Sequence, residues 1–291
     1  MVAFGEDRDL ALNLRDLEIL DSCDGPPQDI TLFRHPELGR VLVINKEIQH
    51  VESWQALYHE PLVHLPASFV PTIRDGLILG GGSLFAAHEL LRYPSLRRCV
   101  LVDHDPRVIE MMRRHYRHAR AVLEDTRFEF EVHDITKFLE SSSNRFDILI
   151  NDSVDLFTES AAKTKLVQLM KSRICEDGVC ADVIYRHLLE SDYISGACTS
   201  LKSVQPMAYS LIVIPEYPGV LHLLAVWGNR HVNQQATETR NLIQQQWIDR
   251  KRRPALQFYN PEFMRFYLYL PPYVTARMGI HKMKFFLKPS S

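Results

Sequence analysis

Residues 76–105 read GLILGGGSLFAAHELLRYPSLRRCVLVDHD. Leu77, Ile78 and Leu79 form an apolar run of strand type, and Gly80, Gly81, Gly82 and Ser83 break it into a turn. A helix is expected from about Leu84, and a second apolar strand, Cys99 to Val102, ends on Asp103, His104 and Asp105. Strand, glycine turn, helix, strand and acid is an order suited to holding a nucleoside. Glycines let ligand atoms approach the backbone. A helix N-terminus offers free amides, and an acid after the second strand can accept both ribose hydroxyls. The turn departs from G-x-G-x-x-G, because Leu84, Phe85 and Ala86 hold the later positions. A tight βα turn without a ligand would use the same residues.

The alternation of strands and helices begins at about Ala67 and continues past this unit. Val108, Ile109, Met112 and Tyr116 recur at helical spacing behind Pro106, which suits a first helical turn. FEFEVHD reads as a strand ending at Asp134, ITKFLESSS as a short helix, and FDILINDSVD as a buried strand. A helix over 161–174, a turn at Gly178 and the strand VCADVIY follow, and two closing strands flank Pro215–Gly219. This order predicts a mostly parallel sheet covered on both faces, with ligands at the carboxyl ends of its strands. Asp103, Asp134, Asp152 and Asp155 fall near such ends. A single strand-end aspartate is explained by capping of the next helix; four along one edge point to a site.

Residues 10–50 alternate in short runs broken at 21–27 and 35–39, which reads as β-hairpins. So small a sheet is marginal alone and is expected to pack on the larger unit. The predicted division is an N-terminal β-strand domain over 1–66 and a Rossmann-like domain over 67–291 with a C-terminal helical segment. His59, Glu60 and His64 carry the letters of a zinc motif, but H-E-x-x-x-H has the wrong spacing and Pro61 is expected to interrupt it, so no metal is expected.

The chain has 291 residues and a formal net charge of -2, which gives no broad basic field for nucleic acid or membrane. The one basic run, Arg250 to Arg253, precedes a proline and reads as a solvated helix end. No stretch has the length and apolarity of a membrane span, and the N-terminus lacks the order of a signal peptide. Five cysteines without a CxxC pair, with Cys175 and Cys180 at the two ends of a turn around Gly178, suggest a reducing cytoplasmic compartment.

Six stretches, in order, resemble the spermidine synthase (polyamine aminopropyltransferase) family: LVINKEIQHVESWQALYHE, LILGGGS with LVDHD, VHDITKFL, NDSVD, IPEYPG and FYNPEFMRFYLYLPPYV. The resemblance implies a small β domain before a Rossmann-like, SAM-type transferase domain, a homodimer, and no metal. It implies that Gln49, His59, Gly81 and Asp103, with Gly80, Gly82 and Ser83 of the turn, hold the ribose and methylthio portion of S-adenosylmethionine (SAM) or its decarboxylated form. Asp134 and Ile135 would read the adenine edge. Asp152 would be the general base beside Tyr58, and Tyr58, Asp155, Glu216 and Tyr217 would line the pocket of a small-molecule acceptor.

The chain departs from the family pattern at several points. The family loop reads GGGDGG, so Ser83 replaces an aspartate that helps bind the donor's ammonium, and Leu84 and Phe85 replace glycines, which predicts a reshaped loop. Trp54 and Gln55 stand at an acidic pair, Leu156 at a proline, and Glu216 at a common threonine. Loss of acids predicts an acceptor other than a simple diamine, as in natural-product or antibiotic tailoring. The reading is transfer of a 3-aminopropyl or 3-amino-3-carboxypropyl group. A SAM-dependent methyltransferase and a non-catalytic nucleoside-binding protein are the alternatives.

Overall fold

The computed structural model describes residues 2–4, 12–153, 160–187, 201, 204, 208–217, 220–229, 256–260 and 264–277. The basic run at 250–253 lies outside them, as do Asp155 and Leu156.

Strands β1 (Val2–Phe4) and β2 (Leu12–Leu14) pair with each other. An antiparallel sheet follows, β3 (Glu18–Cys23), β4 (Ile30–His35), β5 (Gly39–Ile44) and β6 (Glu47–Val51), each strand beside the next. Period-two alternation gives it two apolar faces. Ile30, Leu32 and Leu42 share one buried cluster with Leu62, Leu65, Ile78 and Met112, so the small sheet docks on the rest of the chain as expected. Val41, Val43, Ile48 and Val51 pack with Leu14 on the other side.

Helix α1 (Gln55–Ala67) leads into the alternating part and runs for 13 residues through both Pro61 and Pro66. The expected interruption at Pro61 does not occur. A proline inside a helix costs about 3 kcal/mol; here every residue from His59 to Ala67 is buried, and packing offsets that cost. Then come β7 (Asp75–Gly80), α2 (Phe85–Leu90), β8 (Arg98–Asp103), α3 (Pro106–His115), α4 (Arg117–Leu123), β9 (Phe128–Val132), α5 (Ile135–Ser141), β10 (Phe146–Asp152), α6 (Ser160–Ser172), β11 (Ile174–His187), β12 (Ala208–Ile212) and β13 (Val220–Gly228). The C-terminal part holds two short helices, α7 (Met264–Tyr267) and α8 (Pro272–Arg277).

The large sheet has the order β12-β13-β11-β10-β7-β8-β9. Its first five strands in sequence pair in parallel, and β13 joins β11 and β12 antiparallel, so the sheet is Rossmann-like and mostly parallel. Leu77 to Leu79, Val100 to Val102 and Ile148 to Ile150 are fully buried, as strands covered on both faces require. β7 has β8 on one side and β10 on the other. The chain reverses its direction of winding there, which opens a crevice at the carboxyl end of β7.

The expected turn around Gly178 is instead a bulge within one long strand. Phe146 pairs with Ile174 and Ile148 with Val179, so β11 carries three extra residues against β10. Gly178 fits because a Cβ there would lie 2.7 Å from the Phe146 carbonyl oxygen.

Candidate active site

The crevice is a cavity of about 460 Å³. Its floor is made by the ends of β7, β8 and β10. Gly80 pairs in register with Asp152 of β10, and Leu79 with Val102, the residue before Asp103. One side carries Asp152, the other Asp103, and the glycine turn lies between them. The small sheet contributes Leu42, Ile44, Glu47 and Gln49 to the wall, α1 contributes Gln55, Tyr58 and His59, and the segment before β13 contributes Ile214, Glu216 and Tyr217.

The turn fits closely against both carboxylates. Gly81 has φ +75°, and a Cβ on it would sit 2.7 Å from Asp152 Oδ2; a Cβ on Gly82 would sit 3.2 Å from Asp103 Oδ2. Gly81→Ala therefore combines left-handed strain of about 1–2 kcal/mol with displacement of the Asp152 carboxylate. We expect about a hundredfold loss of kcat/KM with the fold retained, read by steady-state kinetics beside a thermal melt. The turn is not opened by its bulky residues. Leu84 itself takes the left-handed backbone, φ 64°, and is fully buried. Phe85 stacks on His118 at 3.7 Å and lies 4.4 Å from the His50 ring, while His118 donates Nε2–H to the Ser83 carbonyl at 3.0 Å. Apolar and aromatic packing thus holds the loop from behind.

Tyr58 donates its hydroxyl to Asp152 Oδ1 at 2.5 Å. Burial pushes the Asp152 carboxyl up to about 7; the Tyr58 hydrogen bond pulls it back and the Asp103 charge adds to the rise. Asp103 is also raised, chiefly by burial, against a hydrogen bond from the Asp105 amide. His59 donates Nδ1–H to the Gln55 carbonyl at 2.9 Å, which leaves Nε2 as the acceptor of a neutral ring. Burial lowers its pKa to about 4, so it stays neutral at physiological pH. Behind Asp152, Asn151 donates Nδ2–H to buried Asp182, which Lys163 neutralises at 2.7 Å. Asn151 then presents its oxygen to the Ser153 hydroxyl, fixing the turn that carries Asp152.

Gln49, Tyr58, His59, Gly80, Gly81, Gly82, Ser83, Asp103, Ile135, Asp152, Glu216 and Tyr217, all singled out in the sequence, meet at this one cavity. Asp134 does not line it. Its side chain is exposed and caps α5, accepting the Lys137 amide at 2.8 Å. Glu47, Gln28, His104, Ser153 and His222 line the cavity without having been singled out. Glu47 had a signal, two residues before Gln49 on the same face of β6, and His104 and Ser153 lie within the stretches LVDHD and NDSVD. Four carboxylates, those of Glu47, Asp103, Asp152 and Glu216, line the cavity, and no lysine or arginine does among the described residues.

The zinc-like letters have separate structural uses. Glu60 accepts the amides of Gln257, Phe258 and Tyr259, each at 2.8 Å. His64 lies between Glu89 at 2.9 Å and Tyr93 at 2.8 Å.

A Rossmann-like sheet, covered at its switch point by a small antiparallel sheet and carrying an acid-lined crevice, is the framework of a nucleoside-dependent transferase. Residues 55–239 match the spermine/spermidine synthase domain, and the chain belongs to that family. It is a transferase of the spermidine synthase-like type. The polyamine aminopropyltransferase of Thermoanaerobacter sp. (strain X514) is 27% identical over 277 residues, 92% of this chain and 95% of that protein. Polyamine aminopropyltransferase 1 of Aquifex aeolicus (strain VF5) is 31% identical over 208 residues, 69% and 73% of the two chains. Among solved structures, a spermidine synthase in complex with the transition state analogue AdoDATO matches with a TM-score of 0.81 at 23% identity, over 94% of this chain and 91% of that one. Spermidine synthase from Thermotoga maritima gives 0.78 at 23% identity, over 90% and 87%.

Proposed function

We propose that the chain transfers a 3-aminopropyl group from decarboxylated SAM to an amine acceptor and releases methylthioadenosine. The observation that carries this is the Asp152–Tyr58 pair beside the glycine turn, in a cavity with four carboxylates and no described lysine or arginine. A sulfonium donor with a cationic arm and an amine acceptor both suit that field; a donor carboxylate finds no lysine or arginine there among the described residues. The acceptor nitrogen attacks the arm carbon bonded to sulfur. A C–N bond forms, the C–S bond breaks, and its electron pair goes to sulfur. The nitrogen loses its proton to Asp152, whose raised pKa makes it a stronger base than an ordinary aspartate.

In this reading Asp103, Gln49 and neutral His59 hold the ribose and methylthio end, with Gly80 to Ser83 against them. Ile135 packs on the adenine, and Asp134 reads its edge with the oxygen that the α5 cap does not use. Tyr58, Glu216 and Tyr217 line the acceptor side, joined by Asp155 on the resemblance alone. Neutral Gln55, which lines the cavity at a position where the resembled family pattern has an acid, supports an acceptor other than a simple diamine, as in natural-product or antibiotic tailoring. Residues 1–66 act as the cover and 67–291 as the catalytic unit, in a cytoplasmic homodimer.

Ser83 lines the cavity without a charge. That observation favours a second reading, in which intact SAM is also admitted and a 3-amino-3-carboxypropyl group moves. Ser83→Asp is expected to raise kcat/KM for decarboxylated SAM relative to SAM by about tenfold, the order of one favourable charge contact. Competition between the two donors, read as the masses of the alkylated acceptors, checks it. An unchanged ratio would remove Ser83 as a donor filter.

A further inference from the structure

The peptide between Ser83 and Leu84 is held from both sides. The Leu84 amide donates to the Gly81 carbonyl at 2.9 Å, and the Ser83 carbonyl accepts His118 Nε2–H at 3.0 Å. With its N–H and its C=O both engaged, this peptide cannot turn without breaking one of the two bonds. Its neighbours are thereby aimed in opposite directions. Ser83 lines the cavity, while Leu84 is carried in left-handed backbone into the core. The first bond is local to the turn. The second comes from α4, 35 residues along the chain.

His118 is itself set by rings. Phe85 stacks on it at 3.7 Å, and the rings of Tyr116 and His88 meet it edge-on at 5.3 Å and 5.8 Å. Phe85 in turn lies between His118 and the buried His50 ring, 4.4 Å away. Burial lowers the His118 pKa to about 4, so near neutral pH the ring is uncharged and carries a single N–H. A carbonyl can only accept, so that N–H is on Nε2 and is given to Ser83. His118, Phe85 and His50 all stand outside the cavity lining. We propose that His118 is a positioning residue for the nucleoside donor: through its one N–H it fixes the Ser83 peptide, and with it the face that the glycine turn presents to the donor. Phe85 serves the same end by holding the His118 ring. A chain with leucine and phenylalanine at 84 and 85 thus clamps its turn from α4, where glycines would leave the backbone free. This deepens the alkyl-transfer reading and rests on it for the identity of the donor.

Two variants split the N–H of His118 from its ring. His118→Phe keeps a ring to stack on Phe85 and removes the donor. His118→Gln keeps an N–H at the place of Nε2 and removes the stack. With decarboxylated SAM and a diamine, His118→Phe should raise KM for the donor by about tenfold, the order of one lost hydrogen bond. Its KM for the diamine and its Tm should stay near those of wild type. His118→Gln should show the reverse, a lower Tm with donor KM largely restored. Donor KM unchanged in His118→Phe, equal losses for donor and diamine, or losses that follow Tm in both variants would overturn the positioning role. Calorimetric binding of methylthioadenosine to the three proteins separates this role from the reaction. If no amine is alkylated yet His118→Phe binds methylthioadenosine about tenfold more weakly than wild type and His118→Gln does not, the alkyl-transfer reading falls and the positioning role stands. Equal affinity in all three proteins, or no binding to wild type, overturns it.

Discussion

Asp152→Asn lowers kcat by roughly a hundred- to ten-thousand-fold, the usual worth of a positioned general base. The substitution keeps the size of the side chain and an oxygen for the Tyr58 hydroxyl, so the cavity survives and the loss falls on proton transfer. The pH profile separates this from a structural effect. Burial pushes the Asp152 carboxyl up to about 7, and the base works only when ionised, so wild-type kcat/KM rises with pH through about 7. The variant loses that limb. Stability moves the other way. The folded-state pKa lies above the unfolded value of about 3.9, so the folded protein takes up the proton preferentially between about 4 and 7. That stabilisation is complete below about 4 and is lost as pH rises through 7. The asparagine variant does not titrate, so its Tm should exceed that of wild type at pH 8 and approach it at pH 4. Glu216, also pushed up to about 7, contributes the same slope to both proteins. A variant with unchanged kcat would remove Asp152 from the chemistry.

Glu60→Ala destabilises the protein by about 3 kcal/mol, from unmade hydrogen bonds. The carboxylate is 2% exposed and accepts three consecutive amides at 257–259, so it ties the C-terminal segment to α1. Alanine removes all three acceptor bonds at once and leaves a void beside Tyr259 and the helix. For a chain of this size the corresponding fall in Tm is about 5 °C. Glu60→Gln keeps one acceptor oxygen but turns an N–H₂ toward the amides, and should recover less than half of the loss. Urea unfolding of the three proteins measures this. Equal midpoints would show that the segment is held by its apolar contacts alone.

Much of the site was readable because its parts are local. A strand-length apolar run, a glycine turn and an acid after the next strand are adjacent in sequence, and Asp152 ends the strand that pairs with Gly80. The antiparallel hairpins followed from alternation and turn residues in the same way. What escaped is long-range or ambiguous in its letters. Glu60 was visible only as part of a failed zinc motif, since its partners lie about 200 residues away. Asp105 stood beside Asp103 as one more acid. Its carboxylate instead pairs with Arg107, which reaches the carbonyls of Gly25 and Gln28 and ties down the hairpin loop that walls the cavity. Asp134 caps the next helix, the common use of a strand-end aspartate, with one of its two oxygens. Leu84 shows the limit of residue preference. Burial holds a leucine in a backbone conformation that glycine adopts freely. The distribution of acids along the cavity wall is long-range in the same way. The acids at 54 and 55 are absent, but Glu216 arrives on the same cavity from a distant loop.

Under the proposed function the three-carbon arm, and not the methyl group, leaves the sulfur. Incubation with decarboxylated SAM and an amine acceptor, followed by mass spectrometry of both products, tests it most directly. The expected products are methylthioadenosine and an acceptor heavier by one aminopropyl group. A nucleoside product that keeps the arm, paired with a methylated acceptor, would contradict it.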